Sequence, residues 1–325
     1  MKGMTRFSVL VPLLVLALAP AAGAAPYLPA RPHVMNGVAG GYSVRDYVAR
    51  SGANPAVVQS FVAYRGSTAW AFALADGAGA RTMLHIGTTS PAGAERVTPG
   101  GIAAGKADAW LAELNRTIAE RGQPVYIRLM AEMNGHWNVY SAYGAHRDRA
   151  HSTAAFRAAW RRTTLILRGG PRAQLDARLH ALHQPPLGGR GDLPSAPVAM
   201  QWVPQVAGAP DVPGNRPLAY WPGGRYVDWV GTDFYSKFPN FSGLERFYAS
   251  VRRFHKPFVF GEWALWGRDD PAFVSRLFAW SRSHKLVRML VYNQGKRTNG
   301  PFRLARYPRS TRQLRGLLSL ARFSI

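Results

Sequence analysis

Residues 106–137 read KADAWLAELNRTIAERGQPVYIRLMAEMNGHW. In the first half, Ala109, Trp110, Leu114, Ile118 and Ala119 recur near one stripe of a 3.6-residue period, which predicts a helix over 106–121. Gly122-Gln123-Pro124 stops it. The apolar run 125–130 is too short for a helix and reads as a buried strand, which then closes on Glu132. Helix, tight turn and strand together form the repeating unit of a parallel sheet.

The same alternation continues on both sides. Strands are predicted over 34–38, 57–63, 82–86, 125–130, 198–203, 226–233, 258–261 and 287–292. Further helices are predicted over 152–167, opened by a Ser/Thr cap, and over 242–254. Two more follow over 270–284, with Pro271 in the first turn, and over 310–321, with Ser310 as cap. Eight strands with intervening helices predict an α/β fold, a single (β/α)8 TIM barrel. An open doubly wound sheet is the alternative, but no Gly-rich phosphate loop follows the first strand. Residues 169–197 break the alternation with an extra helix over 172–183, Pro185-Pro186 and Gly188-Gly189. They predict an inserted helix-loop segment between helix 4 and strand 5.

Residues 1–25 have the composition of a cleaved secretory signal. Lys2 and Arg6 precede a short apolar stretch, and Ala22-Gly23-Ala24 supplies a small-x-small cleavage site. The expectation is a secreted protein whose single barrel domain spans 26–325, with no transmembrane segment once the signal is removed. There is no cysteine, so disulfides and thiolate metal sites are excluded. Removing Lys2 and Arg6 leaves 39 basic against 17 acidic residues, a net charge of +22. The arginines are dispersed and no nucleic-acid-binding signature accompanies them, so no specific nucleic acid is expected. A surface of this charge is attracted to anionic polymers, cell-wall material among them. His180 and His183 lack a third ligand, so no metal is expected, nor any cofactor. No Gly-x-Ser-x-Gly elbow supports a serine triad. The chain is expected to act as a monomer.

Catalytic groups of such barrels sit where strands end at the C-terminal face. Strand four ends at Glu132 and strand seven at Glu262. A carboxylate closing an apolar strand is costly unless it is paired, and functional sites are where that cost is tolerated. Two carboxylates facing each other across a bore are what glycosidic hydrolysis requires: one protonates the leaving oxygen, the other attacks the anomeric carbon or activates water. Arg128, on the face of Glu132, supports the pair. Trp137, Trp202, Trp263 and Trp266 are candidates for stacking on sugar rings, and Asn134, Gln205 and Asn293 for contacting hydroxyls. His85, ending strand three, is a further candidate. Trp110, Trp160 and Trp280 lie on helical stripes and read as core.

The run from Gly101 to Trp137 resembles glycoside hydrolase family 26, the β-mannanase family. The resemblance rests on Gly105-Lys106-Ala107-Asp108, Arg128 and Glu132-Met133-Asn134-Gly135-His136-Trp137. It extends through Phe156–Arg161, Gln201–Gln205, Tyr220–Gly224, Val227–Asp233 and Lys256–Glu262, in order. It implies a retaining enzyme acting on a β-linked polysaccharide, mannan-like by default, through a covalent glycosyl-enzyme. Glu132 would be acid/base, Glu262 nucleophile, and Tyr235 the tyrosine touching the nucleophile. The chain differs at Ala131, where the family has histidine, and in having Tyr140 and Tyr143 apart, where the family has adjacent tryptophans. Tyr140 is retained as a substrate-contact candidate. The alternative function is a non-catalytic barrel that binds glycan or cell wall.

Overall fold

The computed structural model describes residues 27–40 and 44–323; the expected signal segment lies outside them. Eight parallel strands close on themselves in the order β1 to β8, with β1 (Met35–Ala39) paired to both β2 (Val57–Ala63) and β8 (Val287–Asn293). Between them run β3 (Arg81–Gly87), β4 (Val125–Leu129), β5 (Val198–Trp202), β6 (Trp229–Tyr235) and β7 (Phe258–Ala264). The helices are α1 (Val44–Ser51), α2 (Ala69–Gly77), α3 (Pro99–Ala103), α4 (Asp108–Arg121), α5 (Thr153–Arg168), α6 (Arg172–Ala181), α7 (Phe241–Val251), α8 (Pro271–Ser283) and α9 (Pro308–Leu318). Among the described residues, no helix is long and apolar enough to cross a membrane.

Local chemistry sets most helix ends. Ser152 Oγ accepts from Ala155 N–H at 3.1 Å and opens α5, and Asp270 caps α8 through Phe273 N–H at 2.9 Å. Gly122 stops α4 in the left-handed region, φ 62°. The last helix starts earlier than expected. Pro308 opens α9, and Ser310 Oγ instead donates to Asp269, whose carboxylate also accepts the N–H groups of Arg309 and Ser310. Strand six also begins later, at Trp229, because Gly224–Tyr226 forms a 3-10 turn.

Two apolar layers hold the barrel. The larger lies between sheet and helices and takes Ile127, Leu129, Met200, Trp202, Val230, Phe260 and Trp263. The smaller fills the bore with Met35, Val57, Met83, Tyr126, Trp229 and Met289. Each fully buried large apolar side chain contributes about 1.5–3 kcal/mol. Strand residues alternate between the layers, so Tyr126 and Arg128 of β4 face inward while Ile127 and Leu129 face outward.

A buried ion pair ties the extra segment to the barrel, beside hydrogen bonds from Asn115 Nδ2 to Pro194 O at 3.0 Å and from Gln184 Nε2 to Ala158 O at 2.8 Å. Arg162 of α5 donates to Asp108 of α4 (Nε to Oδ1, 2.7 Å) and to the carbonyl of Pro185 at 2.8 Å, and Gly188 N–H donates to Asp108 at 2.9 Å. Arg168 and Arg172, at its base, are themselves committed to Asp228 and Asp176.

Candidate active site

The inward positions at the C-terminal ends of the strands gather polar groups above the bore. Gln59 comes from β2, His85 from β3, Arg128 from β4, Asp233 and Tyr235 from β6, Glu262 from β7 and Asn293 from β8. Glu132 follows β4 by three residues.

Glu262 faces inward because β7 carries an irregularity. Thr232 pairs with Phe260 but Asp233 pairs with Glu262, so Gly261 is an extra residue in the ladder. Phe260 and Trp263 both point outward, and the intervening bulge turns the carboxylate of Glu262 into the bore. Gly261 is required for space. A Cβ there would lie 2.7 Å from Arg128 Nε and 3.1 Å from Asp233 Oδ1.

Glu262 is 6 % exposed and receives a donor from four sides. Arg128 donates to Oε1, joined by Gln59 Nε2 at 3.1 Å. Tyr235 OH and Asn293 Nδ2 each donate to Oε2 at 2.6 Å. Burial opposes the charged form, but the Arg128 guanidinium, then His85 and the Tyr235 hydroxyl, outweigh it and hold the carboxyl well below the usual range. Arg128 is itself fixed by Asp233, whose other oxygen accepts the backbone N–H of Glu262 at 2.8 Å. Its guanidinium also donates to His85 Nδ1 at 2.6 Å. Burial and the Arg128 charge push His85 down to about 4, so the ring is neutral near pH 7.

Glu132 is placed differently. Met130 and Glu132 both have positive φ, 41° and 53°, a conformation rare for residues with a side chain. Hydrogen bonds from Met130 N–H to Ile86 O and from Glu132 N–H to Val203 O, both 2.8 Å, anchor this turn. Strained backbone that the surroundings hold in place is a recurrent feature of active sites. Glu132 receives Trp137 Nε1–H at 2.8 Å and Gln205 Nε2–H at 2.6 Å. Burial, then the negative charge of Glu262, push its carboxyl above the usual range. Burial also raises Asp233, against Arg128. The surroundings thus favour the charged form at Glu262 and disfavour it at Glu132 and Asp233.

The remaining expected site residues divide. Trp137, 53 % exposed, stands at the mouth beside Glu132, and Trp266 lies at the rim against Tyr235 and Phe302. Gln205 and Asn293 are at the site, but each holds a glutamate. Trp202 and Trp263 do not reach it. They face the helix layer, packed on Trp221 and Phe247, and on Phe278 and Tyr292. Tyr140 is buried and its OH donates to Ala131 O at 2.6 Å, which supports the turn. Asn134 is buried and bonds the Gln205 backbone in both directions, N–H to Oδ1 at 2.8 Å and Nδ2 to O at 3.0 Å. It positions Gln205. Sequence reasoning passed over Gln59 and Asp233. A polar residue at an inward position of an apolar strand is the signal both carried.

Beside Glu262 opens a cleft of about 480 Å3 walled by Phe61, Tyr235 and Phe302, with Asn293 at its floor and Lys296 and Arg297 at its edge.

No family model and no curated protein sequence matches the chain. Solved structures do. A mannanase from Bacillus subtilis is similar over 89 % of this chain and 85 % of that one, at 15 % identity and a TM-score of 0.59. A GH26 β-mannanase from Bacteroides ovatus is similar over 89 % of each chain, at 16 % identity and TM-score 0.59. An endo-β-1,4-mannanase from Cellulomonas fimi is similar over 90 % of this chain and 72 % of that one, at 15 % identity and TM-score 0.59. At these identities the likeness establishes the fold: this chain is a closed (β/α)8 barrel with the architecture of the GH26 β-mannanases.

Proposed function

We propose that the chain is a secreted, retaining glycoside hydrolase that cleaves a β-linked polysaccharide. The observation that carries this reading is the opposite surroundings of two carboxyls at one end of the barrel. Glu262, kept ionised by Arg128, Gln59, Tyr235 and Asn293, is suited to attack an anomeric carbon. Glu132, whose ionisation burial and the Glu262 charge disfavour, is suited to protonate the departing oxygen and then, as the base, to activate water. Environments that drive two carboxyls apart are the usual mark of an acid/base assignment. Retention requires the carboxyls to stand roughly 5–5.5 Å apart, against about 6.5–9.5 Å for an inverting pair. A β-1,4-mannan-like substrate is the default, since the structural neighbours are mannanases.

One observation favours a second reading, a barrel that binds glycan without cutting it. Ala131 stands where histidine would be expected, which removes a polar contact next to Glu132. A screen on mannan, glucomannan, lichenan and xylan, read by new reducing ends, separates the two. Release on at least one polymer that disappears in Glu262→Ala supports hydrolysis. Binding without release on every polymer favours the second reading.

A further inference from the structure

The cleft beside the nucleophile is not electrically neutral. Among its lining residues the one carboxylate is Glu262, already engaged by Arg128. At its edge stand Lys296 and Arg297, both exposed, and neither enters an ion pair among the described residues. Lys296 Nζ lies 5.4 Å from the Phe61 ring that walls the cleft, and its charge is among those felt at His85. The same two cations line an adjoining hollow of about 680 Å3 together with Thr298 and Asn299. A third cation, Lys237, sits 4.7 Å from the Trp266 ring, which packs on the cleft-wall Phe302.

Aromatic walls with free cations at the edge match a pyranose that bears an anionic group. The ring stacks on the walls while the anion meets the cations. A neutral glycan would gain nothing from Lys296 and Arg297, whereas an anionic one would. An acidic sugar brought to an ionised Glu262 would otherwise be repelled, and cations beside the cleft offset that repulsion.

We propose that the substrate is an acidic β-linked polysaccharide, with an anionic group on the sugar held beside Glu262, and that Lys296 and Arg297 determine that specificity. The inference rests on the glycosidase reading above and puts an acidic polymer in place of its neutral mannan default. The chemistry is a carboxylate or sulfate ester on the ring.

The test compares kcat/KM, by reducing-end release, on β-1,4-mannan, on β-1,4-mannuronan (the same backbone with carboxylates at C6) and on sulfated mannan. The wild-type chain should favour an acidic polymer over the neutral one, the preferred polymer identifying carboxylate or sulfate. In Lys296→Gln/Arg297→Gln the acidic-to-neutral ratio should fall by roughly tenfold or more, as expected when a charge-assisted contact is lost. Lys296→Glu/Arg297→Glu should lower it further, and raised salt should lower it in the wild-type chain. A melting curve for each variant checks folding. Preference for neutral mannan, or a ratio unmoved by both double variants, overturns the proposal and leaves the glycosidase reading standing. No release from any of the three polymers, with no glycosylation of Glu262 by an activated glycoside, overturns both.

Discussion

Glu132 and Glu262 carry the same functional group in surroundings that drive the two in opposite directions. Turnover by double displacement needs Glu262 ionised and Glu132 protonated. If the proposed mechanism holds, the depressed Glu262 should set the acid limb of kcat/KM, below the usual carboxylate range, and the raised Glu132 the alkaline limb, above it. The Trp137 N–H favours the ionised form of Glu132. Trp137→Phe should accordingly move the alkaline limb to higher pH and leave the acid limb in place; a downward move would contradict the assignment. The strand-end glutamates were legible because a carboxylate closing an apolar strand stands out, and Arg128 because it shares the strand face of Glu132; Tyr235 came only from the family resemblance. The direction of Trp202 and Trp263 was not, since strands buried on both faces are apolar at odd and even positions alike.

The bulge in β7 is the element on which the site turns. If Gly261 took a regular place in the ladder, Glu262 would face the helix layer and Trp263 the bore. Gly261→Ala places a methyl 2.7 Å from Arg128 Nε. The expected cost is about 1–3 kcal/mol in stability and on the order of 100-fold in kcat/KM, because displacing Arg128 misaligns the nucleophile. Thermal melting and kinetics on one soluble glycan measure both; unimpaired kinetics would show that Arg128 does not need this space. The strand was predicted to end at Gly261 and runs on to Ala264. A bulge leaves no trace in hydrophobic periodicity, so the sequence gives no sign of which way Glu262 turns. By contrast, β2 matches its expected bounds, since the turn residues around it are unambiguous.

At the scale of the whole molecule, the alternation of short apolar runs with helical stripes was enough to read the closed barrel, because only βα units bury such strands on both faces. The anchoring of segment 169–197 by Arg162 and Asp108 depended on contacts between helices distant in sequence. Removing one partner of that pair leaves a charge buried alone, so Arg162→Ala should cost about 3–5 kcal/mol and lower Tm by on the order of ten degrees. An unchanged Tm would show that the segment is held by its other contacts, the apolar ones and the hydrogen bonds of Asn115 and Gln184. The charge of the molecule bears on association. Retention on anionic wall material should weaken steeply as salt rises, while hydrolysis of a neutral soluble glycan should respond little, since exposed charges are screened over about 8–10 Å. The most direct test of the central claim is to trap the covalent intermediate with an activated 2-deoxy-2-fluoro glycoside and map the label by peptide mass spectrometry. The account predicts one glycosyl unit per chain, on the peptide containing Glu262, and none in Glu262→Ala. A label on Glu132 or Asp233, or unlabelled protein releasing a product of inverted configuration, would contradict it.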